Sequence, residues 1–186
     1  MLMADRRRAT SGAASPVAAH AVFDELYTAY SAPLYNYIFR LVGDREQADD
    51  LLQETFVKVY RALDSVPDGA GRTPWLYRVA TNTCYDVLRR RRLISWLPWR
   101  HDDAHEPAGD EGNLGERYAL GEGVQDALRQ VPPTLRAPLL LHAVHGLDYD
   151  DIARTLGISR AAVKMRVSRA RALFRAAYQR DEETLR

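Results

Sequence analysis

The chain reads as all-α, in two small helical domains joined by a flexible acidic linker. Three observations lead there. Apolar residues recur at three- and four-residue spacing through most of the 186 residues, and strand-like alternation is weak. Helix-start and helix-stop residues stand at the ends of those periodic stretches. Between the stretches, residues 95–115 hold Pro98, Pro107, three glycines and an acidic cluster without any period.

The elements follow in order. Residues 1–20 lack an apolar core and carry Arg6 to Arg8, so they read as a disordered tail and not as a signal peptide. Residues 21–30 form an amphipathic helix. Pro33 fits the first turn of a second one, ending near Val42 with Gly43 as its left-handed stop. Asp44 caps a third helix, with Gln47 three residues on, running to Leu63. Its core face is Ala48, Leu52, Thr55, Phe56, Val59 and Leu63. A loop with Pro67, Gly69 and Gly71 follows. Thr73 then serves as N-cap and Pro74 as first-turn residue of a helix to Arg92, with Leu76, Val79, Ala80, Thr83 and Val87 inward.

After the linker, helices resume near Glu116 or Tyr118. Val131-Pro132-Pro133 stops one and starts the next, which ends before Gly146. Pro138 lies inside this helix and predicts a kink or restart there. Asp148 caps a short helix, Gly157 ends it, and Ser159 caps the last one. The domains are therefore 21–94 and 117–180, with 95–116 as the linker.

The formal charge is only +1, so any nucleic-acid affinity has to come from segregated charge. It is segregated: Arg89 to Arg92 and the C-terminal block are basic, while the acids gather in 102–116. Cys84 is alone, which excludes an intrachain disulfide and a cysteine-based zinc site. No run is long and apolar enough for a membrane span, and the expected location is cytoplasmic. His101 and His105 beside acids, and His142 with His145, lack the further ligands of a metal site, so no metal or other cofactor is expected. No nucleophile–base set or phosphate-cradling glycine loop points to an enzyme or to a small-molecule substrate.

Residues 148–178 read as a helix-turn-helix with a strongly cationic second helix. From Ile152 to Arg180 no Asp or Glu interrupts the arginines. Arg160, Ala161 and Lys164 are placed for base edges in a major groove; Ser168 shares their arc. Arg169, Arg171 and Arg175 lie further along and suit phosphates. A second stripe, Arg78, Asn82, Tyr85 and Arg89 with Arg90 following, mixes cations, an amide and an aromatic ring. That suits unpaired bases; the stripe alone fits a plain solvated face equally well, and the Arg89 to Arg92 run tilts it towards nucleic acid. A third, Asp50, Gln53, Glu54, Val57 and Arg61, is either a solvated face or a protein-docking face.

ADDLLQETFVKVYRAL (48–63), WLYRVATNTCYDVLRRRR (75–92) and LGISRAAVKMRVSRARALF, in that order, resemble the extracytoplasmic-function group of bacterial sigma factors. The resemblance implies that the first domain is region 2 and the second region 4. Asp50, Gln53, Glu54, Val57 and Arg61 would dock on the β′ clamp helices of core RNA polymerase. Arg78, Asn82, Tyr85, Arg89 and Arg90 would take the single-stranded −10 element. The cationic helix would read the −35 duplex while region 4 contacts the β flap, and an anti-sigma factor is an expected partner. Ala161-Ala162 and Met165 depart from the family's usual residues at the recognition helix. The other readings are an operator-binding regulator, dimeric on a palindrome, and a helical adaptor that binds only protein.

Overall fold

A computed structural model describes residues 16–94 and 122–184. The tail 1–15, the linker with Trp96, Trp99, His101 and His105, and any helix start at Glu116 or Tyr118 lie outside the described residues. Seven α-helices are described: α1 Pro16–Val42, α2 Arg45–Arg61, α3 Arg72–Ile94, α4 Glu122–Arg129, α5 Pro133–Ala143, α6 Tyr149–Leu156 and α7 Arg160–Thr184.

The helix begins at Pro16, inside the stretch expected as tail, and α1 is one helix where two were expected. Pro33 sits within it. The missing amide of Pro33 would have bonded the Ala29 carbonyl, and Ala29 is exposed, so water can serve that oxygen. The buried face meanwhile keeps its phase across the proline through Leu26, Leu34, Tyr37, Ile38 and Leu41. Packing on that face outweighs one lost hydrogen bond. Pro138 behaves the same way: α5 runs unbroken through it, and its orphaned acceptor lies on exposed Thr134.

The α2 cap is as expected, with Asp44 accepting from the Gln47 amide at 2.7 Å. The helix ends at Arg61, two residues early, and a 3-10 turn carries Leu63–Ser65. Leu51 is buried where Leu52 was expected, and Leu52 and Leu63 are only partly covered. Both leucines lie near one arc, and the position of the neighbouring helices selects between them. Thr73 is not the α3 cap. It lies within the first turn, and its hydroxyl pairs with that of Tyr30 at 2.9 Å. Arg72 opens the helix instead and ties the preceding loop down through Glu25 and Asp68.

The two halves do not stand apart. One buried cluster runs from Leu26, Tyr37 and Leu76 into Leu128, Leu141, Ile152 and Val167. α1 packs on α4 and α5, and α3 packs on α6. Polar contacts reinforce this core. Arg136, only 5 % exposed, donates to Leu41 O at 2.6 Å and also to the Val131 and Arg129 carbonyls. Arg129 donates to Gly43 O at 2.7 Å, and Gln125 reaches Phe39 O at 3.5 Å. These three side chains from the C-terminal half thus serve the carbonyls at the C-terminal end of α1, the negative pole of that helix. Gly43, at φ 81, makes room: a Cβ there would lie 3.0 Å from Arg129 Nε. Burial pushes the Arg136 guanidinium down to about 10, with Arg129 adding to the shift.

Candidate nucleic-acid interface

The helix-turn-helix closes through three local devices. Asp148 accepts from the Asp151 amide at 2.7 Å, Gly157 turns the chain at φ 64, and Ser159 Oγ accepts from Ala162 N at 3.2 Å. Only glycine adopts that left-handed turn without strain. Ile152, Val163, Val167, Ala170 and Ala177 are buried, which fixes the roll of α7. Arg160, Ala161, Lys164, Ser168, Arg169, Arg171 and Arg175 are consequently all exposed. Arg160 lies 3.5 Å from Asp150, and Arg154 pairs with Asp151, so acids just ahead of the cationic run hold two of its members. Lys164, Arg169, Arg171 and Arg175 make no ion pair among the described residues. An unpaired cationic stripe of this kind is suited to phosphates.

On α3 the stripe divides. Arg78, Asn82, Arg89 and Arg90 are exposed, with Arg89 3.2 Å from Asp86. Tyr85 is half-buried under the C-terminal half, and its hydroxyl donates to Pro133 O at 3.3 Å. Burial pushes this phenol up to about 12, opposed by the nearby Arg166 guanidinium. Arg166, on α7, is itself half-buried. The structure thus brings together four members of the stripe and covers the aromatic one. Nothing in the local pattern around Tyr85 signals this, because Pro133, which its hydroxyl meets, lies 48 positions away and Arg166 further still.

On α2, Asp50, Gln53, Glu54, Val57 and Arg61 are exposed together on one face, with Val57 at 48 %. The sequence pattern did not single out Lys58 or the aromatic residues beside this face. Lys58 pairs with Glu54 at 2.8 Å and also donates to Thr83 Oγ1 on α3 at 3.0 Å. Beside the same face, Phe23 of α1 packs edgewise on Phe56 and Tyr60 and Tyr27 lies tilted against Phe56, leaving Tyr27 and Tyr60 nearly half exposed.

His142, near the end of α5, and His145, in the turn that follows it, have other occupations. His142 Nδ1 lies 3.0 Å from Leu147 O, and His145 Nδ1 lies 2.7 Å from the Tyr77 hydroxyl. Burial, with help from Arg40, pushes the His145 ring down to about 4. Among the described residues no group of three or more His, Cys, Asp or Glu could hold a metal, and no helix is long and apolar enough to cross a membrane. Cys84 is buried, and its thiol is pushed up to about 12 by that burial.

Two family models match the chain: sigma-70 region 2 over residues 26–94 and sigma-70 region 4 over residues 122–174. The chain is 34 % identical to the extracytoplasmic-function RNA polymerase sigma factor SigE of Mycolicibacterium smegmatis over 82 % of its own length, and spans 60 % of that relative. It is 32 % identical to the RNA polymerase sigma-H factor of Pseudomonas aeruginosa, covering 80 % of this chain and 82 % of that one. Against CarQ, an RNA polymerase sigma factor of Myxococcus xanthus, identity is 31 % over 79 % of this chain and 83 % of the relative. Among solved structures, the sigma factor RpoE of Bartonella quintana, in complex with the anti-sigma factor NepR, superposes with a TM-score of 0.68. Identity there is 22 %, over 84 % of this chain and 96 % of that one. CnrH, in complex with the cytosolic domain of CnrY, superposes at 0.62 and 24 % identity, over 88 % and 96 %.

Proposed function

The chain belongs to the extracytoplasmic-function group of sigma-70 RNA polymerase sigma factors, and from that premise we propose how its exposed faces divide the work. It is a promoter-specificity subunit that binds core RNA polymerase and directs it to a two-part promoter. The α2 face of Asp50, Gln53, Glu54, Val57 and Arg61 docks on the β′ clamp helices. Asn82, with Arg78, Arg89 and Arg90 beside it and Tyr85 once uncovered, holds the unpaired −10 strand by edge hydrogen bonds and stacking. Region 4 contacts the β flap and presents α7 to the −35 duplex, with Arg160, Ala161 and Lys164 towards base edges, Ser168 on the same arc, and Arg169, Arg171 and Arg175 on phosphates. The chain catalyses nothing itself. Melting relies on binding energy for extruded bases, because nothing in the sequence offers an energy source. It acts in the cytoplasm, and an anti-sigma factor holds it inactive, as RpoE of Bartonella quintana is seen with the anti-sigma factor NepR.

The observation that carries this reading is the segregation of exposed chemistry on one packed body. A mixed-charge face on α2, a cation–amide stripe on α3 and an unpaired cationic stripe on α7 are each held outward by a buried face behind them. Covered Tyr85 adds a requirement: the C-terminal half has to leave α3 before the −10 strand can stack there. Run-off transcription with purified bacterial core polymerase and a genomic promoter library tests the reading. New start sites that depend on the chain are expected. Their absence, together with failure to co-purify with core, would sink it.

A further inference from the structure

Lys58 joins the two working helices of the N-terminal half. Its ammonium sits 2.8 Å from Glu54, in the centre of the proposed docking face, and 3.0 Å from Thr83 Oγ1. Thr83 is fully buried and directly follows exposed Asn82. The Thr83 hydroxyl donates to Val79 O at 2.9 Å, so its hydrogen is already placed and Lys58 binds its free lone pair. The electrostatics agree with the geometry, since both Glu54 and Lys58 act on Cys84, the residue after Thr83.

A purely structural role is a poor fit. Lys58 and Glu54 keep 39 % and 51 % of their side-chain surface in water, where such a pair adds little to stability. Thr83 needs no further partner to be satisfied, since its one donor is used. What the arrangement does supply is a connection. A cation on polymerase that engages the Glu54 carboxylate takes one of Lys58's two partners, and the ammonium then bears more fully on Thr83. Because side chains at successive helix positions are about 100° apart, fixing buried Thr83 fixes the direction in which Asn82 points.

On the footing of the α2 and α3 assignments above, we propose that Lys58 is a positioning residue, coupling polymerase docking at Glu54 to the presentation of Asn82 to the unpaired −10 strand. Holoenzyme reconstituted from the full chain and core polymerase, on a promoter found by the run-off screen, tests it with two readouts: affinity for core and the rate of open-complex formation. In Lys58→Met, core affinity should stay within about twofold while opening slows about tenfold, the scale of one charge-assisted hydrogen bond. Lys58→Arg should recover most of the rate. Thr83→Val should slow opening similarly, and adding it to Lys58→Met should cost little more, since both remove one interaction. Wild-type opening by Lys58→Met, or core affinity falling in step with opening, overturns the coupling. A separate arm identifies a deeper failure: if Glu54→Arg leaves core affinity unchanged, the docking face is wrong and the coupling goes with it.

Discussion

Arg136 shows at the residue scale how a charge can be buried without a counter-charge. Its guanidinium meets only carbonyl oxygens, from Leu41, Arg129 and Val131, where two helices end with unfilled acceptors. Its formal charge is met by two helix dipoles, and the cost of desolvation shows in its lowered pKa. Arg136→Met should therefore strand several buried oxygens and cost about 2–4 kcal/mol. The expected drop in Tm is roughly 5–12 °C, and a melt within 2 °C or so of the parent would remove Arg136 from the list of major stabilisers. His145 makes a pH prediction. Its folded pKa of about 4 lies below the unfolded value of about 6.5, so the unfolded chain binds the extra proton. The ring's contribution is complete above pH 6.5 and is lost as pH falls towards 4. The ring is only half-buried, so about 1–2 kcal/mol is at stake. Urea melts at pH 4.5, 5.5 and 7 should show that slope, and His145→Gln should flatten it.

At the element scale each working helix owes its outward face to what it buries. For α7 that is Val163, Val167, Ala170 and Ala177, and the four unpaired cations follow on the opposite arc. Arg171→Ala and Arg175→Ala should each lower holoenzyme affinity for promoter duplex and reduce the log–log salt slope by about one. A lost affinity with an unchanged slope would show that the residue contacts something other than phosphate. On α3, Asn82→Ala should impair open-complex formation by about tenfold while core binding stays intact; loss of core binding would refute its role. The helix-turn-helix was readable in full from Asp148, Gly157 and Ser159, because caps and left-handed stops act within a few residues of themselves. Helix continuity was less readable. Pro33 predicted a new helix and Pro138 a kink or restart, yet both helices are continuous through them, because the lost donors fall on exposed Ala29 and Thr134 while the apolar faces remain in phase.

At the scale of the whole molecule, the two halves share one core and a set of hydrogen bonds across the join. Tyr85 donates to Pro133 O and the Arg166 guanidinium acts on its phenol, so regions 2 and 4 partly cover one another in this arrangement. Cysteines placed at exposed Asp64 and Ala143 would report on the join, since buried Cys84, with its thiol pushed up to about 12, will not compete for label. Energy transfer between the labels should be high in the free chain and fall when core polymerase is added. Unchanged transfer would mean that polymerase accepts the closed arrangement, and that Tyr85 is not a −10 residue.

The sequence by itself determined the all-α class, the caps at Asp44, Asp148 and Ser159, the cationic stripe of α7 and the exposure of the α2 face, since each depends on spacing along a single helix. Only the tertiary structure decided that the halves close on each other, that Arg136 is a buried clasp, that Tyr85 is covered and that Lys58 bridges α2 to α3. The reason is physical. Helical periodicity records which side of a helix is apolar, and it carries no record of which distant carbonyl or hydroxyl will stand opposite a given side chain. Arg136 and Leu41 lie 95 residues apart, and their meeting is specified by the packed core between them, not by either neighbourhood.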